Sequence, residues 1–549
     1  MKKNTLIIGL FTAFALSSCY EDKSTLPDNP IDDVELNITE EEKIIRIGYK
    51  EPLDIVPNIT KNGKADDSGL TYEWAINIHS GWSNYEYEVI GTEKELHTVL
   101  NNEISNSYYY LRLLVTDTKH DDLQYSFLYQ VYVQPSMLDG LLIADTKDGQ
   151  TTDLNLVMNN KLTASYDKEE KIFRNILAGK EYPGLIKTMS PITSGYYSSA
   201  LKVNMMAVVD EAGKAGIYDT ETFNLSDMSK IFIYQPEKVD AVIRIGNYDC
   251  AATDVGFFAV QYVNFTTSYF GWVNGDLSKY PMDNGIYAKT SLTGVGGNND
   301  VFALGAWFCN EEDAFVSADM LGYPVPTATL FNNPNDYDLS NKHAVCGGMS
   351  IDETTPVFLL KDESTGEYII YVLEREKSPT TQWNSVTQTY DEIAPGAPSS
   401  IKAAHVIPAA GKTLLDKAVA TSFASMEAIL YVATEDGVYT INFAGETPTI
   451  NSTSQFTASG EKITDMHLYQ QGALITEYGS MGYPGYPEYG GWMPVELTDR
   501  AVVVTTQKGD EGVVYVVPMI RFGTGDLDPS NALRYDGFGR ILAVSATCY

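Results

Sequence analysis

Apolar and polar positions alternate along most of this chain with the short period of β-strands, and helical spacing is scarce. From Ile44, "IIRIGYKEPLDIVPNI" alternates and ends near Pro57. "LTYEWAIN" (70–77), "YYYLRLLVTDT" (108–118) and "YSFLYQVYVQP" (125–135) repeat the signal. Four short strands with turns between them, over roughly 100 residues, predict a small β-sandwich.

After residue 135 the pattern changes. "GLLIADTKDGQTTDLNLV", "MMAVVDEAGKAGIYDTETFNL", "VFLLKDESTGEYIIYVLE", "AILYVATEDGVYTINFAG" and "VVVTTQKGDEGVVYVVPMI" each place an acidic or polar Gly turn between two apolar runs. Gly and Asp supply the backbone angles of a tight turn, so each stretch predicts a hairpin. Of the turns centred near residues 213, 366, 436 and 509, the last three recur at similar intervals. The first interval is about twice the others, room for one further unit holding "GFFAVQYVNFTTSYFGWVNGD". The expected architecture is all-β: a sandwich over 44–135, then a β-propeller-like body of six to eight blades over 136–549.

The N-terminus follows a different logic. Lys2 and Lys3 precede an uncharged apolar run, Leu6 to Leu16, too short to span a bilayer as a helix. Ser17, Ser18 and Cys19 follow, the three-part layout of a secretory signal over residues 1–18. "LSSC" resembles a bacterial lipobox, which implies cleavage before Cys19 and lipidation of that residue. Several acyl chains hold a protein firmly, since each buried CH₂ contributes about 0.8 kcal/mol. Residues 19–43 carry nine acids from Glu21 to Glu42 and read as a solvated linker.

Composition narrows the function classes. The formal net charge is -35, and removing residues 1–18 with their two lysines takes it to about -37, so phosphate backbones are repelled and nucleic acid is not expected as a partner. After Cys19, Cys250, Cys309, Cys346 and Cys548 remain. An oxidising compartment permits pairing, four cysteines allow three connectivities, and buried free thiols are the alternative.

No His-Glu-x-x-His, Gly-x-Ser-x-Gly or P-loop is present, and no cofactor is expected. The six histidines, His79, His97, His120, His343, His405 and His467, are too far apart in sequence for a helical ligand pair. Asp526 and Asp528 in "GTGDLDPSN" are weak calcium candidates, against the simpler reading of an Asp turn bonding its own backbone. "GSMGYPGYPEYGGWMP" (479–494) presents Tyr483, Tyr486, Tyr489 and Trp492 between Gly and Pro. Gly and Pro exclude a regular helix or central strand, so this is a loop whose rings either contact a ligand or pack on the body. A second loop, 375–400, carries Trp383 and Tyr390. "TSYFGW" and "SGWSNYEY" are further aromatic clusters, more often packing than a site.

Two resemblances follow from these motifs. "LTYEW" and "YYYLRLLVTD" resemble the Tyr-x-Trp and Val-Thr-Asp strands of a polycystic-kidney-disease (PKD) type immunoglobulin-like domain. The usual Asp-Phe-Gly-Asp-Gly turn is replaced by "AINIHSGWSN". The whole layout, with "YED" directly after Cys19, resembles Bacteroidota surface lipoproteins encoded beside SusC/SusD-like importers. That resemblance implies a lipid anchor on the outer face of the outer membrane, importer proteins as partners, and capture of a glycan or peptide without catalysis. A glycosidase or peptidase with dispersed carboxylates is the alternative.

Overall fold

The computed structural model describes residues 31–547 apart from short breaks and the longer segments 193–204, 228–235, 262–270, 273–279, 290–303, 320–326 and 471–494. The chain divides into two compact units, one ending at Ser136 and one running from Met137 to Tyr549.

The first unit is a sandwich. Five strands lie in the order Ile44–Gly48, Leu123–Gln134, Tyr109–Asp117, Leu70–Asn77 and Tyr87–Gly91. The first two of these run parallel and the rest antiparallel. Two short pairs supply further strands: Val34–Leu36 with Ile59–Lys61, and Pro52–Ile55 with Leu96–Val99. The alternation seen in sequence is the mark of a sheet with one buried face. Along Tyr109–Asp117 the odd positions Tyr109, Leu111, Leu113 and Val115 are buried, and the even ones are half-exposed. Trp74 is fully buried, donates Nε1–H to the Glu93 carbonyl at 3.0 Å and packs on Tyr129. Val34–Leu36 falls inside the stretch expected to be linker: Val34 is buried in the sandwich core, so the acidic segment contributes a strand. Its alternation was hidden by flanking acids.

The second unit contains seven four-stranded antiparallel sheets in chain order. We number them as blades 1 to 7. The first strands of blades 2 to 7 are Ile186–Ile192, Val239–Ile245, Tyr287–Lys289, Lys342–Ser350, Ala418–Phe423 and Lys462–Leu468. Blade 1 is completed by the last strand of the chain: Arg540–Ala546 pairs with Leu141–Thr146, Leu141 facing Ala546. Gly539 N–H donates to Asp145 Oδ2 at 2.6 Å, and Gly140 N–H to Thr547 Oγ1 at 2.8 Å, fixing the two ends together.

Seven hydrophobic cores link consecutive blades. Leu142 and Leu156 meet Met206 and Val208. Val209 meets Val242 and Phe258. Phe257 stacks on Trp307 at 5.0 Å. Phe315 packs on Phe358 and Tyr371. Leu359 and Ile370 meet Leu430 and Val432. Tyr431 meets Val502 and Val504. Val503 and Val514 return to Leu141 and Ile143 of blade 1. The circle of cores closes, which defines a β-propeller. Middle strands covered on both faces read as continuous apolar runs, because neither face meets water; Leu141–Thr146 and Ile429–Thr434 are buried throughout.

The Gly-centred turns join the second and third strands of blades 2, 5, 6 and 7. Between residues 213 and 366 the structure holds two further blades where the spacing suggested one: blade 3 turns at Asp254 and blade 4 at Asp313, which takes the left-handed conformation without a glycine.

Candidate binding surface

Antiparallel strands sort the connections by end. Second-to-third-strand turns bond to the segments that enter first strands. Thr152 and Tyr182 exchange two backbone bonds, Val239 N–H donates to Gly213 O at 2.8 Å, and Ile463 N–H to Glu435 O at 3.0 Å. First-to-second and third-to-fourth connections therefore emerge at the opposite end. One of them is held by a buried acid. Glu427, in the blade 6 turn, accepts from the Gly523 backbone N–H of the blade 7 connection. Burial pushes its carboxyl up, against the backbone donors of Gly523, Gly525 and Thr524.

The 375–400 segment emerges at that end, between the third and fourth strands of blade 5. It is a hairpin, where a loop was expected: Thr380–Asn384 pairs with Thr389–Ala394. Thr, Trp, Tyr and Ile favour pleated backbone, and Asn384 Oδ1 accepts from Val386 N–H at 3.0 Å to shape the turn. At its base Lys377 and Ala397 exchange backbone bonds of 2.8 and 2.9 Å. A Cβ on Gly396 would meet the Lys377 carbonyl at 2.7 Å, so glycine is required there.

Trp383 sits opposite Tyr390, ring centroids 5.1 Å apart and 64° between planes. Neither is buried: Trp383 is 51% exposed, Tyr390 69%, Ile393 61% and Val386, at the tip, 90%. Apolar side chains held in water on a projecting element, with the Trp383 and Tyr390 rings in contact, contribute little to the fold and are the kind of group that marks a contact surface.

Tyr483, Tyr486, Tyr489, Trp492 and Cys19 lie outside the described residues. Residues 471–494 connect the first and second strands of blade 7. Asp528 is occupied by its own turn: its carboxylate accepts from Asn531 Nδ2 at 2.7 Å and Ser530 N–H at 3.2 Å, and the Ser530 bonds foremost hold its pKa low. Asp526 lies 3.7 Å from Arg521. Among the described residues the two do not join a third ligand, and turn donors already take the oxygens of Asp528. Cys309 and Cys346 are buried free thiols, and Cys250 is buried with Cys309 in one core between blades 3 and 4.

One cluster escaped the sequence reading. Asp32, Asp117 and His120 converge in the sandwich, with ligand atoms within 4.8 Å of one another. Lys61 Nζ lies 2.5 Å from Asp32 and 3.4 Å from Asp117, so an ammonium already stands where a cation would sit. The Lys61 hydrogen bond holds Asp32 low. Asp117 is also low: burial opposes this, and the His120 bond, the Lys119 amide and the Lys61 charge outweigh it. Only the Asp117–His120 spacing was visible in sequence; Asp32 and Lys61 arrive through strand pairing.

The model of the PKD-like family matches residues 19–182, the sandwich together with the three first-encountered strands of blade 1. A search of the curated proteins finds no match. Solved structures similar to this chain include apo AztD from Citrobacter koseri, at 9% identity and TM-score 0.35, covering 87% of this chain and 98% of that one. An auxiliary nutrient binding protein from Bacteroides thetaiotaomicron aligns at 9% identity and TM-score 0.23, covering 77% and 90%. PorZ, a surface component of the type-IX secretion system of Porphyromonas gingivalis, aligns at 11% and 0.28, covering 73% and 45%. The family match covers the sandwich, and the closed circle of seven sheets makes the second unit a β-propeller.

Proposed function

We propose that this chain is a non-catalytic binding protein of the bacterial outer surface, lipid-anchored at Cys19, and that it serves as an accessory to a SusC/SusD-like importer. The observation that carries the binding role is the blade 5 hairpin, with Trp383, Tyr390, Val386 and Ile393 exposed together. Rings of this kind, half-exposed in the free protein, contribute on the order of 2 kcal/mol each when a partner covers them. The anchor and the importer rest on the lipobox and on the layout resemblance, and the PKD-like match supports the same class.

Affinity purification of the intact lipoprotein from its native outer membrane, with mass spectrometry of co-purifying chains, tests the reading. An importer pair at near-stoichiometric yield is expected from wild type and is lost from Trp383→Ala/Tyr390→Ala. Recovery of the chain alone would overturn the accessory role. Membrane retention of Cys19→Ala would overturn the anchor.

A further inference from the structure

The five-stranded sheet of the sandwich leaves part of one edge open. Leu123–Gln134 pairs with Tyr109–Asp117 from Leu123 to Val131, but on its other side Ile44–Gly48 covers it only from Gln130 onward. Residues 123–129 therefore have a free side. A groove of about 490 Å³ runs there, rimmed by Glu40, Lys43 and Ile44 and by Ser126, Leu128 and Gln130. Strand alternation tells which backbone groups point into it. Gln130 N–H donates to Lys43 O at 2.8 Å, on the free side. In an antiparallel ladder both backbone groups of a residue point the same way, and the direction alternates along the strand. Gln124, Ser126 and Leu128 thus aim their N–H and C=O groups outward, and among the described residues no partner takes them.

Sheets usually guard such an edge with Lys, Pro or a bulge. Leu123–Gln134 has no charged residue and no Pro, in a chain of net charge -35, and its ladder to Tyr109–Asp117 holds one register throughout. Leu123 and Leu128 are exposed beside the open groups.

The register of the edge selects its occupant. A two-fold axis through Ser126 sets Ser126 against its own copy and Gln124 against Leu128 in both directions, so every outward group is paired. Moving the axis to Tyr125 opposes Leu128 to Asp122, which lies in a turn where Asp121 and Asp122 are both left-handed. Moving it to Phe127 opposes Gln124 to Gln130, which Lys43 already holds. With the axis at Ser126, Tyr125 meets Phe127 on the half-buried face, an aromatic cross-strand pair. Uncharged residues then oppose uncharged residues along the whole contact, which a strongly acidic chain requires of contact with itself. The copy's Asp122 falls opposite Gln130, beside Lys43, which also pairs with Glu40 at 2.6 Å.

We infer that the sandwich joins two copies of this chain edge to edge, their 123–128 segments completing one continuous sheet about a two-fold axis at Ser126. Cysteine cross-linking of the full chain in its native membrane tests the register. Opposed Cα atoms of a hydrogen-bonded pair stand about 5.5 Å apart, within disulfide range. Ser126→Cys is expected to give a covalent homodimer on oxidation. Gln124→Cys should not, because the two thiols then lie four residues apart along the ladder. Sedimentation velocity of the full chain carrying Cys19→Ala, over a concentration series, measures the association itself. Ser126→Lys sets like charges opposite each other from an exposed position and should weaken association at least about tenfold, with an unchanged melting temperature. Mixing the Ser126→Lys and Ser126→Glu chains should restore it, which only pairing of copies at this residue explains. Absence of a Ser126→Cys homodimer, equal cross-linking of Gln124→Cys, association that Ser126→Lys leaves intact, or a Ser126→Cys cross-link to a different chain overturns the proposal.

Discussion

Two hairpins in the body have similar ingredients and opposite fates. Ala501–Lys508 with Glu511–Pro518, in blade 7, is rich in Val and turns at Gly509. Thr380–Asn384 with Thr389–Ala394, in blade 5, carries Trp, Tyr, Val and Ile around a turn at Gln388. The first is the middle of a four-stranded blade, and Val502, Val503 and Val504 are fully buried. The second is a two-stranded sheet by itself, and its residues are almost all exposed. An isolated pair of strands has no second layer to bury its side chains against. The lesson is that apolar content gives stability only where a neighbouring sheet covers it, and that uncovered apolar content is available for contact.

The contrast is broken most severely from the buried side. Val504→Asp places an unpaired charge between blades 6 and 7, where Tyr431 packs; it should cost about 4 kcal/mol or more and abolish the thermal transition of the body in calorimetry. Acid is the next lever, on the sandwich. Asp32 and Asp117 have depressed carboxyl pKa values in the folded state, so their contribution is present above the unfolded value and is lost as pH falls below about 4. Lys61, raised by its bond to Asp32, contributes below its unfolded value and is lost only above about pH 10. The sandwich melting temperature should hold between these limits and fall at the acid end, and Lys61→Met should lower the plateau itself.

From the exposed side, Trp383→Ala/Tyr390→Ala should reduce partner affinity roughly 30-fold or more. The same pair should change stability by no more than about 0.5 kcal/mol, as read by denaturant titration; a larger loss would show that the rings are structural. A finer test uses the thiols. Burial pushes Cys346 up to about 11 and raises Cys309 too, so neither should react with a disulfide reagent at pH 8 until the body unfolds. The smallest effect expected is that of Asp528→Ala, which removes the acceptor for Ser530 and Asn531 and should lower the melting temperature only slightly, with or without calcium.

Legibility in the sequence followed the same division. "LTYEWAIN" is a strand from Leu70 to Asn77, as its alternation requires, and the Gly-turn hairpins are the middle strands of blades. Val34–Leu36 was missed because three residues between acids carry no period. The hairpin at 380–394 passed for a loop because its strands are exposed on both faces, which removes the contrast that alternation depends on. Composition marks Trp383 as a ring in this segment; its pairing with Tyr390 is a matter of register.

The sequence by itself determined the all-β class and the positions of the strongest hairpins, since strand periodicity and turn chemistry are local properties of the chain. Only the tertiary structure decided the count of seven blades, the pairing of Arg540–Ala546 with Leu141–Thr146, the meeting of Lys61 with Asp32 and Asp117, and which apolar side chains remain in water. Those outcomes depend on which distant strands pair and which faces are covered, and burial is a property of neighbours that no local stretch carries.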